Sequence, residues 1–182
     1  MKPKKIITPL DDEIIRKLKV GDEVSISGII YSARDQAHKK LCAAIKRGNK
    51  LPFNPKGQII YYLGPAPKPL GKIIGSAGPT TSGRMDDFTP TLLKHGLKGM
   101  IGKGRRNAEV ISAIKKHKAV YFAAVGGAGA YLSKFIKSAE IIAYPELNTE
   151  AIYKLTVIDF PAIVAIDTKG KSIYQNSPLN SL

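Results

Sequence analysis

Residues 75–88, GSAGPTTSGRMDDF, hold three glycines, a proline, the hydroxyls of Thr80, Thr81 and Ser82, and Arg84 in a stretch too broken for a helix. A glycine-dense turn between a strand and a helix presents backbone N–H groups to an anion, and the helix N-terminus adds favourable potential. The hydroxyls add donors, and Arg84 can grip a carboxylate through two parallel hydrogen bonds. The chemistry is that of a carboxylate or phosphate cradle. The stretch fits neither GxxxxGK[ST] nor GxGxxG, so no nucleotide pattern supports it. A tight strand-to-helix connection, its glycines meeting backbone angles and its threonines capping the helix, uses the same residues. Local pattern leaves both readings open.

The elements that must hold this stretch can be read on either side of it. Asp11–Lys19 is expected to be a short amphipathic helix on Ile14, Ile15 and Leu18, with Thr8 as its cap and Gly21 as its stop. EVSISGIIYSA alternates apolar and polar residues and reads as a strand that delivers Arg34 at its end. RDQAHKKLCAAIKRGNK resumes a helical period, and Gln58–Leu63 is a second strand leaving through the rigid loop GPAPKPLG. After residue 88 the pattern predicts a helix with Pro90 in its first turn, a strand in LKGMIGKG, and a helix in RNAEVISAIKKHK. AVYFAAVGG then reads as a strand, AGAYLSKFIKSAE as another helix, and YKLTVIDFPAIVAIDT and a C-terminal tail finish the chain. Alternating strands and helices predict an α/β fold, with extra antiparallel strands from the early segment and the end.

Composition narrows the function. At 182 residues, 43% hydrophobic and 24% charged, the chain is expected to form one domain over residues 1–182, without metal or disulfide staples. No apolar run approaches the roughly 18 residues of a membrane span, and a cytoplasmic location is expected. One cysteine, Cys42, excludes an internal disulfide framework and a thiolate-rich metal site. The net charge of +15 attracts polyanions, an acidic partner or anionic substrates alike. The lysines are scattered, with no block of like charge and no arginine- and glycine-rich arm, so specific nucleic-acid binding is the weaker reading.

Several separated motifs then recur in order: ARDQAHKKL, GPTTSGRMD, the KG at 103–104, VGGAGA, AYPELNTEAIYKLTVIDFPA and DTKG. Together, over most of residues 20–175, they resemble the β subunit of class I, iron–sulfur fumarate hydratases and L-tartrate dehydratases. The resemblance implies a swivelling β/β/α fold with mixed sheets. It also implies reversible hydration of fumarate to (S)-malate, a four-iron, four-sulfur cluster held by three cysteines of a partner α subunit, and an α2β2 assembly. L-Tartrate dehydratase and mesaconate hydratase share the reaction type, and nothing in the chain chooses between these substrates.

By the same resemblance Thr80, the first threonine of PTT, is the base that takes the C3 proton, and Arg34, Arg84 and Lys103 meet the substrate carboxylates. Thr81 adds a hydrogen bond or orients Thr80. A dianion needs at least two cationic grips, and its C3 proton becomes acidic only when the adjacent carboxylate is neutralised. Arg105 and Arg106 compete with Lys103, because the sequence reads KGRRN. Asp86 and Asp87 are expected to hold Arg84, and His38 to lie on the helix surface or behind the site.

Overall fold

The structure is a computed structural model that describes residues 2–175, so the end of the C-terminal tail lies outside the described residues. Period-two alternation sets the sheet. In β2 (Glu23–Ser32) Val24, Ile26 and Ile30 are buried. In β3 (Ile59–Tyr61), β4 (Gly99–Gly102) and β5 (Val120–Ala123) both faces are covered, and successive residues enter different cores: Ile59, Tyr61, Ile101, Val120 and Phe122 one, Ile60, Tyr62, Met100 and Tyr121 the other. Near-continuous apolar runs are what a doubly covered parallel strand requires. β1 (Lys4–Ile7), β2, β3, β4 and β5 are parallel neighbours in that order.

The crossover helices α2 (Asp35–Lys46), α3 (Thr89–Lys94) and α4 (Ala108–His117) cover one face through Ala37, Leu41, Leu92, Leu93, Val110 and Ile114. A strand order that increases in one direction, joined by crossovers of one hand, puts them on the same side. The long β7 (Ile152–Ile166) runs antiparallel to β2, to β5 and to β6 (Ile136–Ala143). Because β2 pairs with both β3 and β7, the ring β2-β3-β4-β5-β7 closes around the first core. The chain is thus a mixed α/β structure built on one strand-rich sheet.

Three expectations are corrected. AGAYLSKFIKSAE is helical only over α5 (Gly129–Leu132), passes through a 3₁₀ turn at Ser133–Phe135, and becomes β6, because β7 offers it a whole antiparallel edge. The first helix is the shorter α1 (Asp12–Arg16), and its cap is Asp11, whose carboxylate accepts from the Ile14 N–H at 2.7 Å. Thr8 instead donates its hydroxyl to the Ile29 carbonyl at 2.6 Å. Strand β1 carries no alternation signal, with Ile6 alone buried, and exists by pairing with β2.

Candidate active site

Parallel strands release the chain at a common carboxyl edge, where open α/β sheets bind ligands. Arg34 follows β2, Gly64 follows β3 and Lys103 follows β4 at this edge. The segment 80–82 wedges between the ends of β3 and β4. The Thr80 N–H donates to the Tyr62 carbonyl at 2.8 Å, and the Ser82 N–H donates to the Lys103 carbonyl at 2.9 Å. Lys103 returns a longer bond to the Thr80 carbonyl at 3.4 Å, and Thr81 and Lys103 pair as an isolated parallel bridge.

Buried hydroxyls secure the wedge from beneath. Ser82 Oγ lies 2.9 Å from the Tyr121 hydroxyl, which also reaches the Gly104 carbonyl at 2.9 Å. Tyr61 donates its hydroxyl to the Ala77 carbonyl at 2.5 Å, and the Ala77 N–H bonds Gly129. A Cβ on Gly102 would stand 2.9 Å from the Tyr62 ring, and one on Gly129 would stand 2.8 Å from the Gly78 nitrogen. These glycines serve close packing. The threonines do not cap: Thr81 opens a 3₁₀ turn, Ser82–Met85, without a side-chain cap bond, and Phe88 occupies the cap of α3. The wedge therefore holds Thr80 half-buried and Thr81 exposed, with their backbones fixed and neither hydroxyl used as a cap.

The arginines are gathered by one carboxylate. Arg84 Nε donates to Asp35 Oδ1 at 2.8 Å, and Arg34 Nη2 lies 3.7 Å from Asp35 Oδ2 and 3.3 Å from Glu150 Oε1. Burial raises the Asp35 pKa, but its own backbone amide and the two guanidinium groups outweigh that and hold the carboxyl below the usual range. Arg34 sits at the N-cap of α2 in extended conformation, with no side-chain cap bond. An arginine there offers no acceptor and adds positive charge to the positive helix end, so the position costs stability and concentrates potential for an anion. Arg34, Asp35 and Arg84 thus form one group, and Thr80, Thr81 and Lys103 another; both lie at the same edge.

Two further expectations are corrected. Asp86 does not hold Arg84. It accepts from Arg106 Nε at 2.6 Å and from the Asn107 N–H at 2.8 Å, deep in the second core. Arg106 also donates to Thr89 Oγ1 at 2.8 Å and lies over the rings of Tyr62 and Tyr121, which makes it structural rather than a rival to Lys103. Of the two places expected for His38, the structure shows the one behind the site, fully buried. Nδ1 lies 2.9 Å from the Arg34 carbonyl, and burial brings its pKa down to about 4.

Sequence reasoning missed Glu150 and Gly64. A Cβ on Gly64 would lie 2.8 Å from Arg34 Nη1, and Glu150 lies in the AYPELNTE motif, 116 residues from Arg34, so local spacing does not connect them. The donor set does not fit an iron–sulfur cluster: there is one cysteine, and among the described residues no group of three or more His, Cys, Asp or Glu could hold a metal ion. No helix among the described residues is long and apolar enough to cross a membrane. The 590 Å³ hollow over α3 and α4, lined by Thr91, Lys94, Glu109, Lys116 and His117, includes none of the candidate residues.

The fold and this edge define a class: a mixed α/β chain whose parallel strands carry cations and hydroxyls at one common edge. Residues 4–177 match the family described as Fumarase C-terminus, and the chain belongs to that family. It is 44% identical over 168 residues to the anaerobic class I fumarate hydratase of Escherichia coli K12, across 90% of this chain and 31% of that protein. It is 41% identical over 160 residues to fumarate hydratase 2 of Leishmania major, across 87% of this chain and 28% of that one. A third relative, named provisionally as the L(+)-tartrate dehydratase subunit beta of Methanocaldococcus jannaschii, is 40% identical over 167 residues, 88% of this chain and 86% of its own length. The chain spans about a third of the length of the fumarate hydratases and most of the tartrate dehydratase β subunit.

Proposed function

We propose that this chain is the dicarboxylate-binding β subunit of an iron–sulfur hydro-lyase that hydrates fumarate reversibly to (S)-malate. The observation that carries the reading is the joint placement of Arg34, Arg84 and Lys103 with Thr80 at one sheet edge. Arg34, Arg84 and Lys103 bind the carboxylates, and Thr81 donates a hydrogen bond to one of them. In dehydration the Thr80 alkoxide takes the C3 proton and becomes the hydroxyl; in hydration that hydroxyl returns the proton to C3. Threonine is a weak base in water, so the surrounding positive charge must favour its alkoxide. Departure of the C2 hydroxyl is assigned to no residue of this chain.

The rest of the enzyme is a separate α subunit that carries the four-iron, four-sulfur cluster, in an α2β2 assembly located in the cytoplasm. Support comes from the tartrate dehydratase relative, which is named as a subunit, and from the fumarate hydratases, which are about three times as long as the match. Residues 1–182 act as one swivelling β/β/α domain that closes over the substrate. L-Tartrate remains a competing substrate, since identity to the two kinds of relative is similar, and mesaconate competes as a substrate of the same reaction type. The test is anaerobic hydration of fumarate by this chain alone and after mixing with a cluster-loaded α subunit, with tartrate and mesaconate alongside. Turnover in the mixture alone is expected; turnover by the isolated chain, or none from a verified cluster-loaded complex, contradicts the reading.

A further inference from the structure

Arg34 is held by more than its neighbour in sequence. Its guanidinium lies in a slot whose floor is Gly64, where a Cβ would stand 2.8 Å from Nη1, 2.9 Å from Cδ and 3.2 Å from the Thr149 carbonyl. The wall is Glu150, with Oε1 at 3.3 Å from Nη2. Behind it, His38 Nδ1 meets the Arg34 carbonyl at 2.9 Å. Arg34 Nε is buried and has no hydrogen-bond partner among the described residues, so a donor is left over after the ion pairs are made.

The turn that carries Glu150 is itself clasped to α2. Lys40 on that helix pairs with Glu146 at 2.7 Å and lies over the Tyr144 ring at 5.0 Å. The turn places Tyr144 at φ 55° and Asn148 at φ 52°, in the left-handed region that a bulky tyrosine rarely adopts. Strain of that kind costs more than a partly exposed ion pair returns, so stability alone does not explain a turn built to bring a carboxylate onto Arg34.

We propose that Glu150 is a positioning residue for Arg34, fixing the plane of its guanidinium against the Gly64 floor so that the remaining donors meet a substrate carboxylate. This rests on the assignment of Arg34 to substrate binding. Glu150 touches no reacting atom; it acts through Arg34.

The test uses the reconstituted, cluster-loaded complex and reads KM and kcat for fumarate separately in Arg34→Ala, Glu150→Ala, Glu150→Gln, Gly64→Ala and the Arg34→Ala/Glu150→Ala double variant. Glu150→Ala is expected to raise KM about tenfold or more, because a small misplacement of a clamp is costly. Glu150→Gln, which keeps an acceptor, should fall between it and the parent, and Gly64→Ala should act in the same direction as Glu150→Ala. In the double variant Glu150→Ala should add nothing to Arg34→Ala, since two residues acting through one contact are not additive. An unchanged KM in Glu150→Ala, or a rise that persists undiminished in the Arg34→Ala background, overturns the positioning role. If Arg34→Ala itself leaves both KM and kcat unchanged, the binding assignment of Arg34 fails instead.

Discussion

Arg106 and Arg84 stand 22 residues apart and show two uses of the same side chain. The Arg106 side chain is 0% exposed, pairs with Asp86, donates to Thr89 and lies against two tyrosine rings. Arg84 is 51% exposed and shares one carboxylate, Asp35, with Arg34. A sealed and satisfied cation holds the fold. A cation at the rim, gathered with others around too few carboxylates, retains charge for a ligand. At the carboxyl edge Arg34 and Arg84 share Asp35, Arg34 also meets Glu150, and Lys103 adds a third cation against these two carboxylates.

The comparison can be broken most strongly at Arg106. Arg106→Ala strands Asp86 in the core and is expected to cost about 3–5 kcal/mol in denaturant unfolding; a loss below about 1 kcal/mol would place Arg106 with the rim residues. The next effect belongs to His38. Its folded pKa of about 4 lies below the ordinary 6.5, so the unfolded chain binds the extra proton first. Stability from this group is intact above pH 6.5 and falls as pH drops towards 4, by about 3 kcal/mol in all. Unfolding measured across that range should slope less in His38→Gln; an equal slope would show that His38 does not stay neutral. Arg84→Ala should change stability least, by about 1 kcal/mol or less, because a half-exposed pair is screened by solvent. It should nonetheless raise the KM for fumarate in the complex, and a parent-like KM would remove it from the binding set.

Much of this architecture was legible in the residues. Alternation in residues 23–33 and helical spacing in residues 34–50 locate β2 and α2, and with them Arg34 at a strand end. The failures have a common cause. β1 and β6 exist because a neighbour supplies an edge, and Tyr131, Leu132, Phe135 and Ile136 share a spacing that also suits a helix. At the site, residue types marked Thr80 and Arg84, and the family resemblance added Arg34 and Lys103, but neither told who pairs with whom. Asp86 lies two residues from Arg84 and serves Arg106, whereas Asp35, 49 residues from Arg84, holds it. Such long-range choices depend on burial, which local spacing does not encode.

The central claim is that Thr80 performs the proton transfer, in a site whose cations bind the carboxylates and favour its alkoxide. Its most direct test is steady-state hydration of fumarate under anaerobic conditions by the cluster-loaded complex carrying Thr80→Ala, beside the parent. The account predicts that kcat falls by about 10² to 10⁴, the usual worth of a positioned acid or base, with the fold and KM retained. A kcat within about threefold of the parent would contradict it, because losing the group that moves the proton must be felt in turnover.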